Sequence, residues 1–370
     1  MKMLLVVCLL LTGLGQRSSD APARFRRYFV AAESYESAAV FDVDKNGTPD
    51  IVSGDFWYEG PLFRKRHLIG NQRRQDQYYD DFSTIPLDIN ADGRTDVVTG
   101  GWWSGKLRWL ENRTGSQPTG EWPVHDIATV GNIETTRAWD VDGDGTPELV
   151  PNNPGKSLKY FKLKNGAFQQ IDVAPTQGHG LGFGDVNGDG KGDFVVSDGW
   201  LDAADNWTLH PEFSLGTAGV PVLVVDVNGD KKNDLIVGQG HGYGLHWYEQ
   251  GIDRPTGRRT WTKHLIDDKN AQYHTMEWVD LTGDGKPELL TGKRFRAHDD
   301  RDPGSDDPVG LYYFAWDGKA FVRNTIAYGP AGEGKGTGIY MAVADLRGSG
   351  RTDIVVAGKD GLAVFFNEGR

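Results

Sequence analysis

Oxygen-bearing side chains recur in a nine-residue pattern that suits a hard cation. In the clearest copy, Asp185, Asn187, Asp189 and Asp193 occupy the first, third, fifth and ninth positions, with glycines between them. Calcium takes several oxygen ligands, and backbone carbonyls can supply those that side chains do not. An EF-hand loop would run on to a later carboxylate, whereas this motif leads directly into the apolar residues 194–196. We therefore predict a calcium-binding turn between two strands.

The motif occurs seven times, and six copies carry a complete ligand set. The predicted calcium ligands are Asp42, Asp44, Asn46, Asp50, Asp88, Asn90, Asp92, Asp96, Asp140, Asp142, Asp144, Glu148, Asp185, Asn187, Asp189, Asp193, Asp226, Asn228, Asp230, Asp234, Asp280, Thr282, Asp284 and Glu288. The seventh copy has Asp345, Arg347, Ser349 and Asp353 at these positions. Its arginine is expected to replace the metal by pairing with Asp345 and Asp353, so structural Ca²⁺ is predicted in up to six loops.

The elements around each motif repeat as well. An apolar strand precedes the loop, a strand rich in Val, Ile and Leu follows it, and an aromatic third strand and a fourth strand come next. A repeat of this length built from short strands is typical of a β-propeller with one motif per blade. We predict an all-β, seven-bladed propeller. Because one blade cannot bury its own faces, residues 21–370 are expected to form a single domain.

The two ends of the chain explain how the ring closes. The last repeat stops after its third strand, at residues 362–366, whereas residues 25–30 resemble a spare fourth strand. The N-terminal strand should therefore complete the seventh blade and leave no free sheet edge.

Residues 1–20 resemble a cleavable signal peptide. Lys2 precedes an apolar run that is too short to span a membrane as a helix, and small residues follow it. The prediction is a secreted or periplasmic protein with no membrane span in its mature chain. The only cysteine, Cys8, lies in this segment, so no disulfide is expected. The net charge of −12 belongs largely to the loops, and without a basic stripe nucleic acid is an unexpected partner.

The channel end opposite the calcium turns is predicted to carry a polar cluster. The innermost strand of each blade lines the channel, and the residue about six positions before the first loop aspartate lies near that end. Four repeats place a glutamate or histidine there, namely Glu36, Glu134, His179 and His274. The turns after the second strands add His241, Lys293 and His298. Two interpretations stand: a functional site, or the polar, water-filled mouth that any propeller has.

Several imidazoles with a carboxylate suit a transition metal such as Zn²⁺ or Mn²⁺. The predicted ligands of this site metal are His179, His241, His274 and Glu134, and the predicted catalytic residues are His179, Glu134, His298 and Lys293. Trp102, Trp103 and Trp200 are candidates for stacking on sugar rings. The long insertion 293–308 is expected to rim or cover the site. His67, His125, His210 and His264 share one fourth-strand position, which predicts packing.

The repeats, over residues 25–370, resemble the FG-GAP/VCBS family of calcium-loop propellers, which also occur in integrin α-subunits. Residues 178–185, 274–280 and 292–298 further resemble the propeller part of aldos-2-ulose dehydratase. That resemblance implies a metal-dependent elimination of water from a keto-sugar, and hence a carbohydrate as substrate or ligand.

The predicted function is a secreted carbon–oxygen lyase or dehydratase that acts on a keto-sugar or oxidised glycoside. A metal would polarise the carbonyl, His179 or Glu134 would remove the adjacent proton, and His298 or Lys293 would assist the leaving hydroxyl. The alternatives are a non-catalytic propeller that binds a glycan or a protein through the same face, and a structural surface module.

Overall fold

A computed structural model describes residues 21–115 and 120–370 of the chain. The predicted signal peptide lies outside the described residues. Within them the fold is all-β, and seven four-stranded antiparallel sheets form the blades of a propeller. The predicted fold class and blade number are confirmed. In this part of the chain, no helix has the length and apolar character needed to cross a membrane.

Thirty strands make up the described structure. In chain order they are β1 (Arg24–Ala31), β2 (Ala39–Phe41), β3 (Asp50–Ser53), β4 (Phe56–Tyr58), β5 (Arg66–Leu68), β6 (Arg74–Gln75), β7 (Tyr78–Tyr79), β8 (Ile85–Leu87), β9 (Asp96–Gly100), β10 (Lys106–Leu110), β11 (Val124–Thr129), β12 (Thr135–Trp139), β13 (Glu148–Asn152), β14 (Leu158–Lys164), β15 (Ala167–Ala174), β16 (Gly182–Gly184), β17 (Asp193–Val196), β18 (Gly199–Asp202), β19 (Thr208–His210), β20 (Leu223–Val225), β21 (Asp234–Gly238), β22 (Tyr243–Asp253), β23 (Arg258–Ala271), β24 (Met276–Val279), β25 (Glu288–Gly292), β26 (Val309–Trp316), β27 (Phe321–Gly329), β28 (Ala342–Ala344), β29 (Asp353–Val356) and β30 (Leu362–Gly369).

Blades 1 to 6 consist of β2–β5, β8–β11, β12–β15, β16–β19, β20–β23 and β24–β27, and β6 and β7 form a separate hairpin between the first two blades. The second strand of every blade is buried along its whole length. Such a strand is covered on both faces by the neighbouring blades, so it reads as a continuous apolar run rather than an alternating one. Leu290 of blade 6, for example, packs with Ile354 and Phe365 of blade 7.

The N-terminal strand closes the ring. β1 pairs antiparallel with β30, with Tyr28 opposite Val364 and Phe29 opposite Ala363, and the sheet order of blade 7 is β1-β30-β29-β28. The predicted closure is therefore confirmed. Since β1 comes from the start of the chain and β30 from its end, blade 7 joins the two ends of the repeat array.

The four outer-strand histidines are packing residues, as predicted. His67 stacks on Trp57 with ring centroids 4.0 Å apart, and its Nε2 lies 3.1 Å from Glu59. Three further blades repeat this stack, with the pairs His125–Trp109, His210–Trp200 and His264–Trp247. Trp200 packs against His210 within the blade and is only 2% exposed. Its predicted role in sugar stacking is therefore wrong.

Candidate functional site

A cavity of about 520 Å³ lies at one end of the channel. His179 precedes strand β16 and the loop that begins at Asp185 follows it, so the cavity and the acidic loops lie at opposite ends of the inner strands. The cavity lining includes three of the predicted site residues that come from separate repeats, Glu134, His179 and His241, and also His298 from the blade 6 insertion. The predicted convergence of these side chains is what the structure shows.

Four histidines meet in this cluster. The ring centroids of His179 and His241 are 4.2 Å apart, and those of His241 and His298 are 4.0 Å apart. His274 is 1% exposed, and its ring centroid lies 5.3 Å from that of His241. One ligand atom each from Glu134, His241, His274 and His298 can be chosen so that all lie within 4.8 Å of one another. Compared with the predicted metal ligands, this four-residue set contains His298 in place of His179.

The ring nitrogens of His179 and His241 face each other. Their Nε2 atoms are 2.7 Å apart. His179 Nδ1 lies 2.9 Å from the carbonyl oxygen of Ala218, and His241 Nδ1 lies 3.2 Å from a carboxylate oxygen of Asp302. Since carbonyl and carboxylate oxygens only accept hydrogen bonds, both Nδ1 atoms carry their protons. Two Nε2 lone pairs at this distance require a shared proton or a cation.

Glu134 is the buried carboxylate of the cluster. It is 6% exposed, and its Oε1 has no hydrogen-bond partner although the atom is buried. Burial alone would raise the pKa of Glu134, but the nearby His179, 3.7 Å away, with the charges of Arg294 and His298, lowers it to about 2. An ionised, partly unsatisfied carboxylate beside imidazole nitrogens is a suitable metal ligand.

The same surroundings keep most of the imidazoles neutral. Burial and the positive charges of His179 and His298 lower the pKa of His241 to about 4. Burial and Arg294 lower the pKa values of His274 and His298. For His179, burial lowers the pKa, but the negative charge of Glu134, 3.7 Å from its Nε2, raises it overall. Without a metal, His179 is therefore the histidine that holds the shared proton, and neutral imidazoles are the form that binds metals.

Arg294 is a site residue that the sequence reasoning missed. Its guanidinium donates to both oxygens of Glu36, at 2.8 and 3.2 Å, and lies 3.7 Å from Glu134 Oε1. Lys359 Nζ lies 3.2 Å from the same Glu36 carboxylate, and burial lowers the pKa of Lys359 to about 8 although Glu36 opposes this. The sequence signal for Arg294 is the run of basic residues after β25, in which the prediction named Lys293 instead.

Lys293 does not reach the cavity. Its side chain is fully buried, and its ammonium group donates to the carbonyl oxygen of Ser305 at 3.1 Å. The prediction that it assists a leaving group is therefore wrong, because the ammonium group points under the blade 6 insertion. Arg296 is also directed away, and pairs with Asp300 at 3.1 Å.

Aromatic side chains form the facing wall. Trp102, Trp103, Tyr78 and Phe82 line the cavity, and Trp103 packs against Tyr78 and Phe82 with centroids 5.3 and 5.8 Å apart. Asp80 fixes this turn, because its carboxylate accepts hydrogen bonds from the backbone amides of Trp103 and the following serine at 2.9 and 3.0 Å. Trp102 and Trp103 therefore line the cavity, and their stacking on a sugar ring stays a prediction.

The blade 6 insertion rims the cavity, as predicted, with an unusual backbone. Arg296, His298, Asp299 and Asp300 all have φ between 50 and 59°. This left-handed region is costly for residues with a side chain, and such strain is concentrated at functional sites. Asp299 ties the turn to the β6–β7 hairpin, because its backbone amide donates to Tyr78 Oη at 3.1 Å and its carboxylate accepts from Gln77 at 2.9 Å.

The six acidic loops have a common internal geometry. The ninth-position carboxylate accepts a hydrogen bond from the amide that follows the first aspartate, as Asp50 does from Val43 at 2.9 Å and Asp193 from Val186 at 3.0 Å. Within the first loop, oxygens of Asp42, Asp44 and Asp50 lie within 4.8 Å of one another. Burial, opposed by backbone hydrogen bonds and reinforced by the neighbouring carboxylates, raises the pKa of Asp50 to about 6. An all-oxygen set with crowded negative charge fits Ca²⁺.

Basic side chains contact the carboxylates of four loops. In the fifth and sixth loops, Lys232 and Arg370 each contact one carboxylate, that of Asp230 and that of Asp284, whereas the third and seventh loops hold a basic group among several oxygens. In the seventh, Arg347 bonds Asp353 at 3.0 Å and Glu368 at 3.2 Å, but it meets Asp345 only through its backbone amide. The predicted pairing is correct for Asp353 and wrong for the Asp345 side chain. In the third, the ammonium group of Lys162 contacts Asp142, lies 2.6 Å from Asp144 and lies 3.5 Å from Glu148. The sequence motif did not reveal this lysine, because it comes from strand β14.

Comparison with known proteins supports the repeat architecture. Residues 88–151, 140–196 and 226–291 match the FG-GAP-like repeat. No curated protein matches the chain. Among solved structures, the exotype rhamnogalacturonan lyase YesX is 16% identical, with a TM-score of 0.53 over 91% of this chain and 72% of that one. BBS1N, solved in complex with ARL6DN, is 14% identical, with a TM-score of 0.55 over 93% and 96%.

At such identities these likenesses concern the fold alone. The matched repeats and the seven closed blades lead to the same assignment. The chain belongs to the family of β-propellers built from FG-GAP-like repeats.

Proposed function

We propose that the protein is a metal-dependent carbon–oxygen lyase that acts on a keto-sugar or oxidised glycoside. The observation that carries the proposal is the cluster of Glu134, His241, His274 and His298, whose ligand atoms can lie within 4.8 Å of one another, with the unsatisfied Oε1 of Glu134 among them and His179 beside them. This arrangement provides lone pairs that need a cation and a buried negative charge to match it.

A Zn²⁺ or Mn²⁺ ion would be held by Glu134, His241, His274 and His298, because one nitrogen or carboxylate donor from each lies within 4.8 Å of the others. When bound, such an ion acts as a Lewis acid that polarises a substrate carbonyl and makes the adjacent C–H group acidic. The positively charged guanidinium of Arg294, 3.7 Å from Glu134, further favours negative charge that develops on the substrate oxygen.

His179 is the proposed base. Its Nδ1–H is fixed by Ala218, which leaves Nε2 to accept a proton in the cavity. Glu134 Oε2, 3.7 Å from His179 Nε2, stabilises the imidazolium that forms. The proton comes from the carbon next to the carbonyl, and its electron pair becomes the new C=C bond as the C–O bond on the next carbon breaks.

The departing hydroxyl needs a proton to leave as water. His179 can return the proton that it has just accepted, so one residue serves as base and then as acid, and no net proton is consumed. This mechanism replaces the roles predicted for Lys293, which is buried away from the cavity, and for His298, whose ring belongs to the metal-binding set. It requires the proton and the hydroxyl to leave from the same face of the sugar.

The likeness to YesX, a rhamnogalacturonan lyase, supports carbohydrate chemistry, as does the sequence resemblance to aldos-2-ulose dehydratase. The aromatic wall of Trp102 and Tyr78 would hold the sugar ring against the histidines. We propose that the protein is secreted or periplasmic and carries structural Ca²⁺, in keeping with residues 1–20 and the acidic loops.

The test combines metal content with turnover. We expect wild-type protein, dialysed against calcium buffer, to retain about one transition-metal ion per chain by elemental mass spectrometry. We also expect it to convert a keto-sugar that carries a free hydroxyl on the carbon β to its carbonyl into a conjugated enone with ultraviolet absorbance. His274→Ala should lose the ion. His179→Ala should lose turnover but keep the ion. His125→Ala, a histidine of the outer scaffold, should change neither. A wild-type protein that holds only calcium and forms no enone would refute the proposal.

The second candidate is a non-catalytic binding propeller. It is favoured by the aromatic wall of the cavity and by the fold likeness to BBS1N, which was solved bound to a protein partner. A glycan array or pull-down that shows binding, together with absence of a transition metal and of turnover, would favour this candidate. The purely structural module predicts none of these results.

A further inference from the structure

Asp302 contacts two histidines of the cluster through one oxygen atom. Its Oδ2 lies 2.5 Å from His298 Nδ1 and 3.2 Å from His241 Nδ1. The side chain is 16% exposed, and within the described part of the chain no lysine or arginine forms an ion pair with it. The usual structural role of an aspartate on a loop, a surface salt bridge, therefore does not account for its position.

The contact fixes which nitrogen of each ring carries the proton. Since a carboxylate oxygen can only accept, both Nδ1 atoms donate, and both Nε2 atoms keep a free lone pair. The rings of His241 and His298 stack nearly parallel, 27° apart, so their Nε2 edges lie on the side away from Asp302. For His241 this edge faces His179 Nε2 at 2.7 Å, inside the cavity.

Hydrogen bonds within the blade 6 insertion fix the backbone of Asp302. The amide and the hydroxyl of Ser305 donate to the carbonyl oxygen of Asp302 at 3.1 and 2.7 Å. Lys293 in turn donates to the carbonyl oxygen of Ser305 at 3.1 Å. The buried lysine that the sequence suggested as a catalyst thus anchors the turn that carries Asp302, and the left-handed residues before it complete that turn.

We infer that Asp302 is a positioning residue that holds His241 and His298 in the Nδ1–H tautomer, with both Nε2 atoms directed at a shared cation. The cation in this inference rests on the proposed function, whereas the two tautomers rest only on the contacts of Asp302. It assigns the blade 6 insertion a role in assembling the site, beyond rimming it. Such outer carboxylate partners typically change metal affinity 10- to 100-fold.

The first test measures Zn²⁺ binding by calorimetric titration of the metal-stripped full chain in calcium buffer. Asp302→Asn should weaken binding of Zn²⁺ roughly 10- to 100-fold, because an amide group can donate to Nδ1 and favour the wrong tautomer. Asp300→Asn is the matched control, because Asp300 lies on the same turn but pairs with Arg296 outside the cavity lining; its affinity should equal that of wild type. Equal affinity for wild type and Asp302→Asn would overturn the inference.

The second test needs neither metal nor variant. Long-range ¹H–¹⁵N correlation spectra of the metal-free wild-type protein should show His241 and His298 as Nδ1–H tautomers. Nε2–H tautomers for both rings would overturn the inference, even if Asp302→Asn failed to fold. Failure of the proposed function has a different signature: wild type would bind no Zn²⁺, while the tautomers could still be as expected.

Discussion

Glu36 and Arg294 form a charged pair that is almost completely removed from water, with exposures of 2% and 3% in their side chains. Removing one member of such a pair is far more damaging than removing both, because the remaining charge stays buried and unpaired. Arg294 also faces Glu134, so its loss would leave two carboxylates with reduced compensation. This residue therefore links the stability of the channel end to its electrostatics.

We expect Arg294→Met to lower the free energy of unfolding by about 3 kcal/mol, as measured by urea denaturation. Lys359 remains near Glu36, which keeps the loss at the lower end of the range for buried pairs. Arg301→Met is the control, because Arg301 is 78% exposed in its side chain and an exposed ion pair contributes less than about 1 kcal/mol. Adding Glu36→Gln should recover part of the loss; a further loss would contradict the explanation.

Asp81 provides a pH-dependent prediction. It is 3% exposed, and accepts hydrogen bonds from Thr99 at 2.5 Å and Ser37 at 3.4 Å. Burial raises its pKa to about 7, although Thr99 and the charge of Arg108 oppose the shift. Because the folded pKa exceeds the unfolded value of about 3.9, its contribution to stability is complete below pH 4 and is lost as the pH rises towards 7.

Asp81→Asn should therefore gain stability relative to wild type between pH 4 and pH 7, by up to about 1.4 kcal/mol per pH unit. Urea denaturation of both proteins across this range measures the difference. Asp76→Asn, at an exposed position of the β6–β7 hairpin, should show no such trend. A constant difference between Asp81→Asn and wild type would show that the carboxyl group stays ionised in the folded protein.

At the scale of single elements, the sequence predicted what a local motif or a strand pattern encodes. The acidic loops, the closing strand β1 and the His179–His274 convergence all follow from spacing along one repeat. Arg294 and Asp302 do not, because their partners lie on other blades or across a loop with left-handed backbone. The prediction named Lys293 rather than Arg294 as a site residue for the same reason. Adjacent residues after β25 point to opposite sides, and spacing along the sequence does not determine which side faces the cavity.

The third loop shows how one strand position can alter a neighbouring turn. Lys162 of β14 brings its ammonium group to the carboxylates of this loop. In the register of blades 2 and 5, the corresponding third-strand position is filled by Glu111 and Glu249. A fixed cation among the predicted ligands would compete with Ca²⁺, as Arg347 would in the seventh loop, where it bonds Asp353.

We therefore expect Lys162→Glu to bind one more calcium ion per chain than wild type. The substitution removes the competing ammonium group and installs the acidic residue that other blades have. Equilibrium dialysis with radioactive calcium measures the number bound. Lys164→Glu makes the same charge change at an exposed position of the same strand and should bind the wild-type number. Equal numbers for Lys162→Glu and wild type would show that Lys162 does not occupy the loop.

At the scale of the whole molecule, the closed ring makes the stabilisation by ligands bound at different loops additive. Each blade packs against two neighbours, as Leu290 does against Ile354 and Phe365 across the last interface, and β1 joins the ends. The blades of a closed ring are therefore expected to unfold together. A ligand that binds only the folded state then stabilises the whole ring from any loop.

This linkage predicts how stability depends on free calcium. Above its dissociation constant, each site raises the free energy of unfolding by about 1.4 kcal/mol per tenfold increase in calcium. In five loops no basic group of the described residues contacts several ligand carboxylates, although Lys232 pairs with Asp230 and Arg370 with Asp284. These loops begin at Asp42, Asp88, Asp185, Asp226 and Asp280, and together they should give a slope of about 7 kcal/mol per decade. Urea denaturation in calcium buffers, where added salt can be held constant, measures it. A slope near 8.4 kcal/mol per decade would mean that a sixth ion displaces Lys162, whereas a flat response would mean that hydrogen bonds within the loops, rather than calcium, hold them in shape.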